Sequence, residues 1–184
     1  MVIFVGLCDA LAKFRWTLDL ALRSQFPLER LKPLDACQLY RVSANYAHDP
    51  EIVQAIEAEC RRPDFYRYLT PDMEGISAVC AMRREGHEVH VFTSLSLDHG
   101  TCMEEKRWWV SDSLGDDWAH GMFIADDLAP VEADIVIDDR AAFNGLSHAP
   151  KWEHVIFDAP YNRGPETAGK RRLTWKNWRE VLKT

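Results

Sequence analysis

Short apolar runs alternating with amphipathic segments predict an α/β domain: a parallel sheet with helices on both faces. Three observations carry that reading. Residues 2–7 form a continuous apolar run, as in a central strand buried on both sides. An amphipathic segment, 10–25, follows at once and reads as a helix beginning at Ala10. Strand-like runs then recur at 88–92, 122–125, 134–137 and 154–157, with helical stretches between the earlier ones.

The elements follow in order. Between 26 and 71 the chain is helical and aromatic, cut by Pro27, Pro33, Pro50, Pro63 and Pro71 into short pieces such as 50–61. This reads as a small helical insertion after the first strand, with 1–25 and 72–184 forming one core. Asp72 opens a helix that runs to Arg84, and Gly86 supplies its C-terminal stop. The strand 88–92 and a helix over 103–114 come next. Ligands of such sheets sit beyond the carboxyl ends of the strands, so four loops carry the functional interest. They are 6–9, 93–94, 125–128 and 138–140.

Composition narrows the function. A chain of 184 residues, 47% hydrophobic and 28% charged, has globular usage and fits one domain. A net charge of -7 argues against a broad nucleic-acid footprint, since phosphate backbones are bound through clustered Lys and Arg. Only Lys170, Arg171 and Arg172 make a locally basic stretch. The five cysteines are odd in number, widely spaced and form no CxxC pair, which points to a reducing cytoplasm and to no zinc site. No run approaches the roughly 18 apolar residues of a membrane span, and the opening run is too short for a signal peptide.

Several segments resemble the 5'(3')-deoxyribonucleotidases of the haloacid dehalogenase superfamily. They are Leu11, Ala12 and Phe14; Phe92, Thr93 and Ser94; Glu105 and Lys106 with Trp109 and Val110; DIVIDDR over 134–140; and WEHVIF over 152–157. Order and spacing agree, and the likeness spans about residues 2–182. It implies a Rossmann-like core with a helical cap inserted after the first strand, the cap matching 26–71. Fold alone does not settle function.

The resemblance also implies a chemistry. These phosphatases use one aspartate after the first strand as nucleophile and a second, two residues on, as acid and base. Aligned on Leu11, Ala12 and Phe14, those positions hold Gly6 and Cys8. Glycine offers no side chain, and Cys8 reads better as a small buried hydrophobe than as a thiolate. Asp9 is the one acid of the loop. It becomes a nucleophile only through a shifted register, and otherwise caps the helix expected from Ala10. The family's phosphate-neutralising lysine, ten residues before the first aspartate of DDR, is Leu128 here.

Other parts of the pattern persist. Thr93, Ser94 and Lys106 match phosphate-binding positions, while ordinary turn hydrogen bonding after a strand is the simpler account of the two hydroxyl residues. Asp138 and Asp139 match the loop that holds Mg²⁺, whose affinity is weakened or lost without the first carboxylate; an acidic loop braced by Arg140 is the alternative. Phe14 is the position carried over for contact with a base, whereas Trp16, Tyr46, Phe65, Tyr66 and Tyr68 read mostly as core, and Trp108 and Trp109 as packing. His48, His99 and His148 lack ligand spacing and read as surface groups.

Two functions stay open. One is a catalytically degenerate nucleotidase-like protein that binds a nucleotide or a protein partner. The other is a metal-dependent 5'-nucleotidase with Asp9 or Cys8 as a rearranged nucleophile. Neither involves nucleic acid or a membrane.

Overall fold

The structure, a computed structural model, describes residues 1–94 and 100–183. Strand β1 (Val2–Gly6) is apolar from end to end because it lies in the middle of the sheet. Helix α1 spans Phe14–Arg23, four residues later than the amphipathic segment suggests. Residues 7–12 are not its first turn. They make a tight loop in which the N–H groups of Leu11 and Ala12 donate to the Leu7 carbonyl at 3.0 and 2.9 Å.

The proline-divided stretch 26–71 contains short 3-10 turns and one longer helix, α2 (Pro50–Arg61). Asp49 caps α2, accepting from Ile52 N–H, and Pro50 fills the first helical position, where no N–H is required. Helix α3 (Met73–Arg84) is capped by Asp72, whose carboxylate accepts from the N–H groups of Glu74 and Gly75. Gly86, at φ +90°, supplies the left-handed residue that ends it. Strand β2 (Glu88–Thr93), helix α4 (Cys102–Leu114), a short helix α5 (Asp116–His120), and strands β3 (Phe123–Ile124), β4 (Ile135–Asp138) and β5 (Glu153–Phe157) follow.

Two terminal elements carry no periodic signal in the sequence: β6 (Arg172–Leu173) and α6 (Trp178–Val181). The basic stretch belongs to this edge and is consumed by it. Arg171 pairs with Glu153 at 2.6 Å, Arg172 with Asp158 at 2.8 Å, and Lys170 donates to the Ala141 carbonyl.

All strand pairings are parallel, in the order β3-β2-β1-β4-β5-β6. The expected α/β architecture is therefore present, and its two faces are covered unequally. Ile3, Val5, Val89, Val91, Ile135 and Ile137 face the larger core, shared with α1 through α5 and with Trp178 of α6. Phe4, Phe92 and Val136 point the other way, into a smaller cluster closed by Leu128, Trp152 and the loop residue Phe143. Among the described residues, no helix is long and apolar enough to cross a membrane.

The strand order fixes where a ligand can sit. Connections leave β1 toward β2 on one side and reach β4 on the other, so the crevice at a switch point of this kind opens between the carboxyl ends of β1 and β4. Gly6 and Asp138 are the residues at those ends.

Candidate phosphate-binding site

A cleft of about 640 Å³ opens above those strand ends, roofed by residues of the 26–71 segment. Cys8, Asp9, Phe14, Thr93, Ser94, Lys106, Asp138 and Asp139 all reach it. These positions lie far apart in sequence, and the parallel sheet brings them to one rim. Gly6 lies beneath the floor and Leu128 does not take part.

The β4 end sets the floor. Register pairs Val5 with Ile137, so Asp138 comes to lie beside Gly6. A methyl group built at Gly6 would overlap the Asp138 carboxylate, which occupies the room a side chain from β1 would need. The Oδ1 atom of Asp138 accepts from Arg140 twice, from the backbone N–H at 3.0 Å and from Nε at 2.6 Å. Asp139 turns away from it. Its Oδ2 accepts from the Tyr161 hydroxyl at 2.6 Å, and its carbonyl accepts from Asn162 Nδ2 at 2.7 Å. Burial raises the pKa of Asp138 and raises that of Asp139 well above the usual range, with the neighbouring carboxylates adding to the latter.

The β1 loop is arranged differently from expectation. Asp9 has φ 60°, a left-handed conformation that costs most residues about 1–2 kcal/mol and that Asp tolerates better than most. Its N–H donates to the Ala12 carbonyl at 2.7 Å. The helix it serves begins at Phe14, not Ala10: Asp9 Oδ1 accepts from the Arg15 N–H at 2.9 Å, in the first turn of α1. Arg15 Nε lies 3.1 Å from Asp9 Oδ2, close enough for an ion pair although its N–H is not aimed along that line. Burial pushes the Asp9 carboxyl up to about 6, against the pull of Arg15. Burial likewise pushes the Cys8 thiol up to about 12, so at neutral pH it carries its proton.

Arg15 is the residue that motif reading misses. Its guanidinium carbon sits 3.6 Å from the centre of the Tyr161 ring, and its terminal nitrogens donate to the carbonyls of Leu39 and Tyr40. It therefore ties the 26–71 segment to the core at the edge of the cleft. A signal for it exists in the sequence: Arg15 and Asp19 share the buried stripe of α1 with Leu18 and Leu22, where a charge needs a partner.

On the opposite rim Lys106 of α4 is 3% exposed. Its Nζ donates to the Thr93 hydroxyl at 3.2 Å and lies 4.8 Å from the centre of the Tyr66 ring. Phe14, half-buried, lies nearly parallel to Tyr66 with ring centres 6.1 Å apart. Leu128 is 1% exposed among Phe4, Phe92, Val136 and Trp152, and its carbonyl accepts from Trp152 Nε1 at 2.8 Å. Position 128 thus serves packing beneath the sheet.

The aromatic residues divide by burial. Tyr46, Phe65, Tyr66 and Trp109 are core, while Trp16, Tyr68 and Trp108 are exposed. His48 and His148 are exposed, and His99 lies outside the described residues.

This geometry can be set beside known proteins. A Bordetella pertussis protein named "Putative 5'(3')-deoxyribonucleotidase" is 31% identical over 182 residues, covering 99% of this chain and 95% of that one. The chain belongs to the 5'(3')-deoxyribonucleotidase family. The human "5'(3')-deoxyribonucleotidase, cytosolic type" is 30% identical, with 98% of this chain and 92% of its own length aligned. No protein-family model matches the chain. In fold, it is similar to the crystal structure of a "putative haloacid dehalogenase-like hydrolase" from Burkholderia xenovorans, with a TM-score of 0.51 at 11% identity over 98% of this chain and 95% of that one. That likeness concerns fold alone. The sequence resemblance sets the family's first-strand carboxylates and third-loop lysine against Gly6, Cys8 and Leu128, and membership of the family does not by itself settle the chemistry.

The donor set also bears on the metal that the family resemblance implies. Position 6 brings no oxygen, Asp138 is engaged by Arg140 and Asp139 by Tyr161. Among the described residues, no group of three or more His, Cys, Asp or Glu side chains is disposed to hold a metal ion. Mg²⁺ takes six oxygens, with one or two protein carboxylates and the rest from water and phosphate; here β1 brings no side-chain oxygen and both β4 carboxylates are already bonded within the protein, a poor fit to that ion.

Proposed function

We propose that this family member binds a nucleoside monophosphate without hydrolysing it. One observation carries the reading: the room where a nucleophile from β1 would stand is filled by Asp138, itself held by Arg140. Hydrolysis needs an anionic nucleophile in line with phosphorus and a proton donor for the leaving oxygen. Gly6 supplies no nucleophile, the Cys8 thiol is protonated, and both Asp9 oxygens face Arg15.

Recognition keeps its parts. The Thr93 hydroxyl and the Lys106 ammonium stand together on one rim of the cleft, as a phosphate receptor requires. Phe14 and Tyr66 line the wall beyond them, an apolar surface suited to a nucleobase. A cleft of this volume accommodates a nucleotide, which makes that ligand a better fit than a protein partner. Five cysteines, odd in number and without a CxxC pair, suit a reducing cytoplasm as its location.

The test joins binding to turnover. A ligand that binds only the folded state raises its melting temperature by mass action. Deoxynucleoside monophosphates are expected to raise the Tm while releasing no phosphate over hours with or without Mg²⁺. Metal-dependent release at ordinary enzymatic rates would refute the reading. So would a flat Tm with every nucleotide offered.

A further inference from the structure

We infer that this protein holds its phosphate ligand without a divalent cation, using Lys106 and Arg140 as the positive charges of the site. The inference rests on the proposed nucleotide binding and specifies how the phosphate is met.

Lys106 provides the first ground. A buried ammonium is costly unless it is paired with an anion, because burial strips its hydration. Among the described residues its polar contacts are the neutral Thr93 hydroxyl and the face of the Tyr66 ring, neither of which cancels a full charge. The side chain is nevertheless 3% exposed and lines the cleft. An arriving phosphate is the missing partner for it.

Arg140 provides the second. In the DDR loop its guanidinium holds Asp138 through Nε, and the side chain lines the same cleft. A guanidinium carries five donors in a planar fork, so one bond to Asp138 leaves others available for a phosphate oxygen. Arg140 is thus an internal cation at the edge of the carboxylate loop. A divalent ion would have to share Asp138 with Arg140 and Asp139 with Tyr161, which hold one oxygen of each, and it would still lack a carboxylate from β1. A dication placed there would also stand close to the Arg140 guanidinium, which already offsets the Asp138 charge. The positive charge that a metal would bring is already built into the chain.

The experiment titrates the full-length protein with inorganic phosphate and with dTMP by calorimetry, once in EDTA and once in millimolar Mg²⁺. The two dissociation constants are expected to agree within twofold for each probe. Lys106→Met, close in shape to lysine but uncharged, should weaken both at least tenfold in either buffer. Mn²⁺ provides an independent reading, because the electron-spin signal of the free ion disappears on coordination. Undiminished signal at protein concentrations near 0.1 mM (about that order) is expected. Affinity that appears only with Mg²⁺, or stoichiometric loss of the Mn²⁺ signal, would overturn the inference and leave nucleotide binding standing. Failure of both probes in both buffers would overturn the two together.

Discussion

The loops that end β1 and β4 lie side by side and have kept very different amounts of the family pattern. At β4 the sequence reads DDR; at β1 the positions that the resemblance sets against the family's two acids hold Gly6 and Cys8. The DDR loop is also held from within the chain. With no side chain on β1 to oppose it, Asp138 lies in the vacated room and bonds to Arg140. What a motif residue touches thus depends on its neighbour across the strand pair as much as on the motif itself.

The largest effect is expected at Leu128. Returning a lysine there, as the family pattern would have it, puts an ammonium among Phe4, Phe92, Val136 and Trp152. An unpaired buried charge costs about 3–5 kcal/mol, a large part of a small domain's stability. Leu128→Lys should lower the denaturant midpoint sharply or prevent folding. A midpoint near that of the parent protein would mean that the lysine escapes into the cleft and that the site is more easily rebuilt than its packing suggests.

Next comes the space beside Gly6. Gly6→Ala forces the Asp138 carboxylate to move and loosens its bond to Arg140, an overpacking loss of about 1–3 kcal/mol. Asp138→Ala empties the same space. The double variant should therefore be more stable than the sum of the two single losses, with a coupling of about 1 kcal/mol or more in chemical denaturation. Strict additivity would show that the two positions do not compete for one volume.

How much of this could be read in advance follows from what each feature depends on. The strands β1, β4 and β5 were legible because each is an apolar run bounded by polar residues, and the helix start at Asp72 because capping is local. Strand β6 was hidden: two residues, one of them Arg172, look like part of a charged tail until Glu153 and Asp158 are placed beside them. The start of α1 was misplaced because residues 10–12 are apolar and fully buried, which imitates a helical face, while their backbone is spent on the turn back to Leu7. Within the site, strand ends converge by topology, so Thr93, Lys106, Asp138 and Asp139 could be gathered from the motif alone. The contacts of Arg15 with Tyr161 and Leu39, and the collapse of Asp138 toward Gly6, depend on side chains meeting across distant segments. No spacing rule encodes those.

The Arg15 contacts suggest a milder intervention. Arg15→Met keeps the hydrophobic stem and removes the guanidinium that joins Asp9, Tyr161 and the 39–40 carbonyls. Loss of hydrogen bonds to a charged donor, each worth about 1.5–3 kcal/mol, is partly offset because Asp9 can take up a proton. A net loss of about 2 kcal/mol is expected, with faster proteolysis within 26–71 than in the 72–183 core. Uniform proteolysis of the two regions would show that Arg15 does not hold that segment in place.

The smallest expected effect separates burial from ion pairing at Asp9. Its carboxyl is raised from an ordinary 3.8 to about 6, first by burial, with Arg15 pulling the other way. A folded-state value above the unfolded one means that the folded protein keeps a proton the unfolded chain has released. The stability this contributes is complete below pH 3.8 and is lost as the pH rises through 6. Between pH 7 and 5 the parent protein should therefore gain about 1 kcal/mol relative to Asp9→Asn, which has no such proton to bind. Taking the difference between the two proteins removes titrations that do not sense Asp9, including that of His154, whose buried imidazole is held down at about 4 and acts with the opposite sign, while the neighbouring Asp139, raised in part by the Asp9 charge, titrates with it. If the Arg15 ion pair were the stronger influence, the folded-state value would fall below 3.8 and the parent would instead lose stability relative to Asp9→Asn on acidification below that range, with no gain between pH 7 and 5. The sign of that one difference decides whether Asp9 serves chiefly as an acceptor for α1 that tolerates protonation or as a permanent counter-charge to Arg15.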